Sequence, residues 1–328
     1  MQPYKAQELV KPVNWNKLDD PIDLDVWSRM TANFWLPEKI ALSNDKATWK
    51  TLTEQERWTV MRVFARLTRF DTLQAYIGTS GIARFALTDH ETQCMAFIGG
   101  MEAVHARSYS SIFSTLASTE EINEAFRWAE ENEITTEQIR VLQSYYRSAH
   151  ARAGYLEEGI RVRFASVLLE SFLFYSGFYV SFKLAANAKL TNTADIIRLI
   201  MRDEGIHGYY IGYKMQQALS RLDTGLQAEL MSEFEELSLS LLKSEEVITS
   251  DIYQPIGWHE DALQYIRYNF NKARNNLGLE AAFNSVDVSP AILAQMTLDT
   301  SETHDFFSGS GSSYVLGTVE ETEDDDWL

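Results

Sequence analysis

Two segments of the sequence place a glutamate and a histidine three positions apart, Glu102-x-x-His105 and Glu204-x-x-His207. Residues three apart share one face of an α-helix, so each pair can present a carboxylate oxygen and an imidazole nitrogen to the same point. This mixture of donors suits divalent manganese or iron. Of the six histidines, only these two have an acidic residue three positions earlier. The two pairs are therefore the first candidates for metal ligands.

Both pairs interrupt apolar helix faces. The neighbours that share the first face, at helical spacing, are Met95, Ile98, Ile112 and Leu116. The neighbours that share the second face are Ile197, Ile200 and Ile211. Carboxylate and imidazole groups are costly to bury without partners, so each apolar face requires a compensating cation or hydrogen-bond network.

Two further carboxylates, Asp71 and Glu170, lie on apolar faces of other predicted helices. A carboxylate helix followed by a Glu-x-x-His helix therefore occurs twice, with 31 residues from Asp71 to Glu102 and 34 from Glu170 to Glu204. This repetition is typical of a four-helix bundle in which two similar helix pairs project metal ligands inwards. Two divalent ions would balance the four carboxylates, with the glutamate of each pair bridging to the second ion. The alternative is a purely structural polar network.

A phenol continues the first face, because Tyr109 lies one helical turn beyond His105. It can be an ordinary core tyrosine with a hydrogen-bonded hydroxyl group, or a redox-active residue beside the metals. A radical there would need shielding from water. We expect Phe174, Phe178 and Ile200, on the flanking faces, to provide it.

The elements that carry these residues are predicted to be helices, which makes the fold all-α. Only six prolines interrupt the chain, and apolar residues recur at helical spacing with no sustained alternation. Capping-box patterns at Thr53-x-x-Glu56, Thr88-x-x-Glu91 and Ser118-x-x-Glu121 predict three helix starts. The first 50 residues are predicted to be irregular. Helices are predicted at about 53–79, 88–117, 119–130, 135–150, 158–188, 193–220, 225–250 and 259–275.

The composition limits the class of protein. The 328 residues are 45% hydrophobic, which is ample for a core, and the net charge of −18 argues against binding to nucleic acid or an anionic membrane. The single cysteine, Cys94, excludes a disulfide within the chain and fits a reducing cytoplasm. The N-terminus lacks an apolar signal segment, and the most apolar stretch, 171–182, is too short to span a bilayer. We therefore expect a soluble cytoplasmic protein.

The character of the sequence changes at about residue 299, which predicts a domain over 1–298 and a tail over 299–328. The tail contains a flexible Ser/Gly stretch at 308–313 and an acidic run at 320–326. Such a segment can be a disordered, solubilising end. Tyr314 and the terminal Trp327-Leu328 also suit a peptide that docks in the groove of a partner and orders on binding.

Three stretches closely resemble the beta subunit, the small radical-generating chain, of class I ribonucleotide reductases. They are Met101-Glu-Ala-Val-His-Ala-Arg-Ser-Tyr109, Glu170-Ser-Phe-Leu-Phe174 and Arg202-Asp-Glu-Gly-Ile-His207. The similarity is greatest to class Ib, through Asn33-Phe-Trp-Leu-Pro37, Leu190-Thr-Asn-Thr-Ala194 and the Asp-Asp-Asp-Trp of the tail. The final Leu328 departs from the aromatic ending expected there.

The resemblance implies a ferritin-like helical bundle with a buried dimetal-carboxylate site of two manganese or two iron ions. It implies three ligands for each ion, Asp71, Glu102 and His105 for one and Glu170, Glu204 and His207 for the other. It also implies that Tyr109 holds a tyrosyl radical, and that the oxidising equivalent travels through Trp35, Asp203 and Tyr314. Its destination is a cysteine of a large catalytic alpha subunit, which reduces ribonucleotides to deoxyribonucleotides. A homodimer and a flavodoxin-like activating protein are further implied partners.

Other interpretations of Trp35, of Asp203 and of the function of the whole chain remain open. Trp35 could be a packed aromatic, and Asp203 a carboxylate that orients a histidine ligand. The chain could also be another ferritin-like dimetal oxidase acting on a small substrate, or a metal-storage protein. Tyr109 and the tail argue against the oxidase, and storage would require a cage-forming assembly.

Overall fold

Helices form wherever the sequence carries long apolar repeats. The computed structural model describes residues 11–151 and 155–296, and within these ranges there is no strand. The all-α prediction is thus confirmed. The helices are α1 (Pro21–Ala32), α2 (Lys46–Trp49), α3 (Glu54–Leu73), α4 (Thr79–Ala83), α5 (Asp89–Leu116), α6 (Thr119–Glu131), α7 (Glu133–Ala151), α8 (Leu156–Leu168), α9 (Tyr175–Ala185), α10 (Thr191–Leu219), α11 (Thr224–Tyr253), α12 (His259–Asn276) and α13 (Pro290–Met296). The predicted tail, 299–328, lies outside the described residues.

Two of the three predicted capping boxes form in full. At the start of α3, the Thr53 hydroxyl accepts from the Glu56 N–H, and the Glu56 carboxylate accepts from the Thr53 N–H. Ser118 and Glu121 do the same at α6. At α5 only half of the box forms. Thr88 accepts from the Glu91 N–H, but the buried Glu91 carboxylate pairs with Arg163 and accepts from another backbone N–H.

The prediction that the first 50 residues are irregular was wrong for residues 21–32 and 46–49, which form α1 and α2, and residues 1–10 lie outside the described residues. Helix α1 begins with Asp20, whose carboxylate accepts from the Ile22 N–H, and has Pro21 in its first turn. An aspartate N-cap followed by proline is a known helix start. A fully buried Lys214 on α10 binds Asp20 (2.8 Å) and Asp23 (2.6 Å), and this pairing attaches α1 to the bundle.

A π-helical turn lies within or beside each of the two helices that carry a lone carboxylate. Residues Gln74–Gly78 form such a turn directly after α3, and Leu169–Leu173 form one between α8 and α9. A π turn carries one extra residue per turn and is frequent at functional sites. The first turn follows Asp71 by three residues, and the second contains Glu170.

Helices α8 and α9, with the π turn between them, form one continuous apolar element at the centre of the bundle. The length argument used against a membrane span was wrong, because Leu156–Ala185 runs for 30 residues and is apolar enough to cross a bilayer. Every residue of its most apolar window is buried inside the protein. The element therefore behaves as the core helix of a helical bundle, packed against α10 on one side and α7 on another.

Candidate metal centre

Four elements bring the six candidate ligands into one buried cluster. Asp71 comes from α3, Glu102 and His105 from α5, Glu170 from the second π turn, and Glu204 and His207 from α10. All six side chains are fully buried. Helix α3 packs along α5, and α10 packs along α8 and α9, so the two Glu-x-x-His helices face each other across the cluster.

One half of the cluster surrounds the Nδ1 atom of His105. This nitrogen lies 3.0 Å from Glu204 Oε1, 3.6 Å from Asp71 Oδ1 and 3.8 Å from Glu102 Oε2. Donor atoms that share one octahedral divalent ion, each about 2.1 Å from it, stand about 3 Å apart. The separations around His105 suit donors that share an ion.

The other half surrounds the Nδ1 atom of His207 in the same way. This nitrogen lies 3.0 Å from Glu102 Oε1, 3.5 Å from Glu170 Oε2 and 3.6 Å from Glu204 Oε2. Two groups of four ligands result, in which the donor atoms all lie within 4.8 Å of one another. Glu102 and Glu204 belong to both groups, with one oxygen facing each histidine.

The residues fit a pair of metal ions because their polar atoms are otherwise unpartnered. Among the described residues, both carboxylate oxygens of Asp71, Glu102 and Glu204 are buried without a hydrogen-bond partner, as are the Nδ1 atoms of His105 and His207. Buried polar groups are rarely left unpaired. Convergence of so many in one place indicates that a cation is their natural partner.

The electrostatics of the cluster lead to the same conclusion. Burial raises the pKa of the Asp71 and Glu204 carboxyl groups well above their usual range, and the neighbouring Glu102 charge adds to the effect. Burial alone would also raise the pKa of Glu102, but the two histidines lower it to about 2. Burial would lower the pKa of His105, but Asp203 and Glu102 raise it to about 10. Without cations, the cluster therefore keeps protons that metal binding would displace.

Most of the chain matches a known protein family. Residues 12–290 match the model of the family "Ribonucleotide reductase, small chain". The chain belongs to this family. It is 50% identical over 325 residues to the ribonucleoside-diphosphate reductase subunit beta nrdF2 of Mycobacterium tuberculosis (strain ATCC 25618 / H37Rv), covering 98% of each chain. It is 48% identical over 320 residues to the ribonucleoside-diphosphate reductase 2 subunit beta of Escherichia coli (strain K12), covering 97% of this chain and 98% of that one.

A solved relative gives the same picture of the fold. The crystal structure of Streptococcus sanguinis dimanganese(II)-NrdF is 39% identical, with a TM-score of 0.83, and the match covers 88% of this chain and all of that chain. The predictions of a ferritin-like bundle and of a class I beta subunit, most like class Ib, are confirmed. Membership of the family favours this reading over a small-substrate oxidase or a storage protein.

In this small chain, Asp203 connects the cluster to Trp35. The Asp203 Oδ2 atom accepts from the Trp35 indole N–H (2.7 Å) and lies 3.2 Å from His105 Nε2. Because His105 presents its Nδ1 to the cluster, its Nε2 carries the hydrogen and donates a hydrogen bond to Asp203. The sequence suggested two roles for Asp203, a histidine-orienting carboxylate and a relay residue. The contact with His105 is the one that the orienting role requires, and the relay role of Asp203 and Trp35 stays a prediction.

Tyr109 lies beside the cluster in an apolar setting. Its side chain is fully buried, its hydroxyl group has no hydrogen-bond partner among the described residues, and the ring of Phe64 lies 5.4 Å from it. Burial raises the pKa of the phenol well above its usual value, so it stays protonated. Phe174, Phe178 and Ile200 are also fully buried, but shielding of Tyr109 by these three stays a prediction. Phe64 was missed as a neighbour.

Sequence reasoning also missed Gln74, which donates a hydrogen bond to Glu170. The one available signal was its position three residues after Asp71, which places both residues on one helix face. Tyr314, the last predicted relay residue, lies outside the described residues.

Proposed function

We propose that this chain is the beta subunit of a ribonucleoside-diphosphate reductase. It generates a radical on Tyr109 and transfers the oxidising equivalent to a catalytic alpha subunit. The observation that carries the proposal is the pair of glutamates, Glu102 and Glu204, that each face both histidines, with a buried tyrosine one turn away. Such a constellation can hold two metal ions beside an oxidisable phenol.

The ligand assignment is the one that the family resemblance implies. Asp71, Glu102 and His105 hold one ion, Glu170, Glu204 and His207 hold the other, and Glu102 and Glu204 each face both histidines and so can bridge the two ions. Manganese and iron both suit these donors, and the Streptococcus relative was solved as a dimanganese(II) protein. When bound, the metal pair supplies the oxidising power that removes an electron from Tyr109.

The surroundings of Tyr109 determine how its radical forms and how the radical is protected. Because the phenol is protonated in its buried pocket, forming the neutral radical requires loss of a proton as well as an electron. Asp71 is the carboxylate with the strongest electrostatic effect on the phenol. The complete burial of the side chain and its contact with Phe64 keep water and reductants away from the ring.

Transfer out of the chain is proposed to run through His105, Asp203 and Trp35. The electron that restores Tyr109 travels inwards along this path, while a cysteine of the alpha subunit is oxidised. Trp35 is 7% exposed, so the path reaches close to the surface. Tyr314 would continue the path in the tail, and residues 299–328 would dock the alpha subunit.

The remaining partners and the location follow from the family. The beta subunit is proposed to act as a homodimer in the cytoplasm, to pair with the alpha subunit, and to receive help from a flavodoxin-like protein when manganese is used.

The proposed function is tested by deoxynucleotide formation. The metal-loaded chain, combined with a class Ib alpha subunit, a ribonucleoside diphosphate and a thiol reductant, should form product, and neither subunit should do so alone. A Tyr109→Phe variant with both metals bound should be inactive. Absence of product from an oxidised, two-metal wild-type protein with its cognate alpha subunit would contradict the proposal.

A further inference from the structure

Glu170 differs from the other three carboxylates of the centre. Asp71, Glu102 and Glu204 leave both oxygens free of hydrogen bonds, whereas Glu170 leaves only Oε2 free. Its Oε1 accepts a close hydrogen bond from the side-chain amide of Gln74. One oxygen of Glu170 is thus engaged by a hydrogen bond within the protein, and the other lies 3.5 Å from His207 Nδ1.

The amide of Gln74 is itself held on both sides. Its Nε2 also donates to the Ser166 hydroxyl group (2.7 Å), and its Oε1 accepts from the Tyr146 hydroxyl group (2.8 Å). A carboxylate that binds a metal is ionised and can only accept, so the NH₂ group must face Glu170 and the carbonyl must face Tyr146. Gln74, Ser166, Tyr146 and Glu170 are all fully buried. The amide therefore has one orientation and no water competes for it.

The local backbone is shaped around this glutamine. Gln74 opens the π turn Gln74–Gly78. A Cβ atom at Gly78 would overlap the Gln74 Oε1 atom and would lie 2.9 Å from Cδ and 3.0 Å from Tyr146 Cε2. A glycine at this position leaves the space that the glutamine and the tyrosine share. The same turn that follows Asp71 thus also delivers the donor for Glu170.

We propose that Gln74 is a positioning residue that commits Glu170 to bind its metal through Oε2 alone, at the ion shared with His207. This inference rests on the proposed function of the centre. Glutamine carries no charge, so it occupies one oxygen without changing the balance of four carboxylates against two divalent ions. The two ions would then differ in affinity, because the carboxylate of Asp203 supports His105 at one ion and the neutral amide of Gln74 supports Glu170 at the other. Hydrogen-bonded supports of this kind typically change metal affinity about 10- to 100-fold.

The test is a manganese(II) titration of the metal-free full-length protein, with free manganese followed by electron paramagnetic resonance. Wild-type protein should bind two ions. Gln74→Met removes the amide at similar volume, and it should bind one ion as the wild type does and the other about 10- to 100-fold more weakly. The inference would be overturned if Gln74→Met bound both ions with wild-type affinity, or if it bound both ions more weakly by the same factor.

Gln138→Met is a matched control. Gln138 is also buried, donates to a serine hydroxyl group (Ser244, 3.0 Å) and to a glutamate (Glu245, 2.9 Å), and accepts from a third side chain, but it lies outside the centre. It should lose stability without changing either manganese affinity. A selective loss in Gln74→Met that also appears in Gln138→Met would show that the effect is general loosening and would overturn the inference.

Tyr146→Phe keeps the test decisive if Gln74→Met does not fold. Phenylalanine removes only the hydroxyl group that holds the Gln74 carbonyl, so the same ion should bind more weakly, by less than in Gln74→Met. No change in Tyr146→Phe, when Gln74→Met cannot be measured, would contradict the proposal. A wild-type protein that binds fewer than two ions would instead contradict the proposed function. The two failures are therefore distinguishable.

Discussion

The shared glutamates lead to a prediction about which ligand affects which ion. Glu204 directs Oε1 at His105 and Oε2 at His207, at 3.0 and 3.6 Å, whereas Asp71 lies in only one of the two ligand groups. Glu204→Gln should therefore weaken the binding of both ions. Asp71→Asn should weaken the binding of the ion on the His105 side much more than the binding of the other ion. Both substitutions preserve the shape of the side chain and remove one charge.

The expected size follows from the charge that is lost. Two unit charges about 4 Å apart interact by about 4 kcal/mol at an effective dielectric constant of about 20, and this value is a lower limit for a carboxylate and a divalent ion. If relaxation of the protein recovers half, the remaining loss of about 2 kcal/mol weakens binding about 30-fold. We expect at least this effect at both ions in Glu204→Gln, and at one ion in Asp71→Asn.

The assay is the manganese(II) titration described above, with Glu245→Gln as the control. Glu245 is a fully buried carboxylate that pairs with Arg66 at 2.5 Å, outside the centre. Its variant should lose stability but bind two ions with unchanged affinity. The bridging geometry would be refuted if Glu204→Gln weakened a single ion, or if Asp71→Asn weakened both equally.

Three further predictions concern the relay, the tail and the attachment of α1. Asp203→Asn should bind metal about 10-fold more weakly, because a neutral amide supports His105 less well, and should lose turnover; wild-type turnover would contradict the relay. Deleting residues 314–328 should leave the metals and the radical intact but abolish binding to the alpha subunit, as measured by subunit titration. Tyr314→Phe should bind the alpha subunit yet fail to support deoxynucleotide formation. Lys214→Met should lower the free energy of unfolding by about 3–5 kcal/mol, because it leaves two buried aspartates unpaired. Burial alone would lower the Lys214 pKa, but hydrogen bonds to those aspartates raise it above 10.5, so the stabilisation is complete below that pH and is lost as the pH rises through the folded-state value. Denaturant unfolding at several pH values measures this, and a pH-independent difference would contradict it.

The helix periodicity was enough to predict the cluster. Glu102 and His105, like Glu204 and His207, share a face because of their spacing alone, and an apolar face must be buried. Convergence of the two pairs followed from the need to neutralise four carboxylates. The bridging role was predicted in outline, but the pairing of each oxygen with a particular histidine depends on side-chain rotamers that no spacing encodes.

The features that sequence reasoning missed arise from tertiary contacts or from an overlooked signal. The hydrogen bond from Gln74 to Glu170 joins residues 96 positions apart, and neither π turn has a signature in the apolar pattern. Glu91 matches a capping box, yet its contact with Arg163 outweighs that local choice. Helix α1 could have been predicted, because Asp20-Pro21 marks its start.

Tyr109 is proposed to hold the radical that forms beside the metal pair. The most direct measurement is electron paramagnetic resonance of wild-type and Tyr109→Phe proteins after loading with iron(II) in air, with two bound ions verified in each. The proposal predicts a tyrosyl signal in the wild type that narrows with ring-deuterated tyrosine and is absent from Tyr109→Phe. The same tyrosyl signal in the two proteins would contradict the assignment.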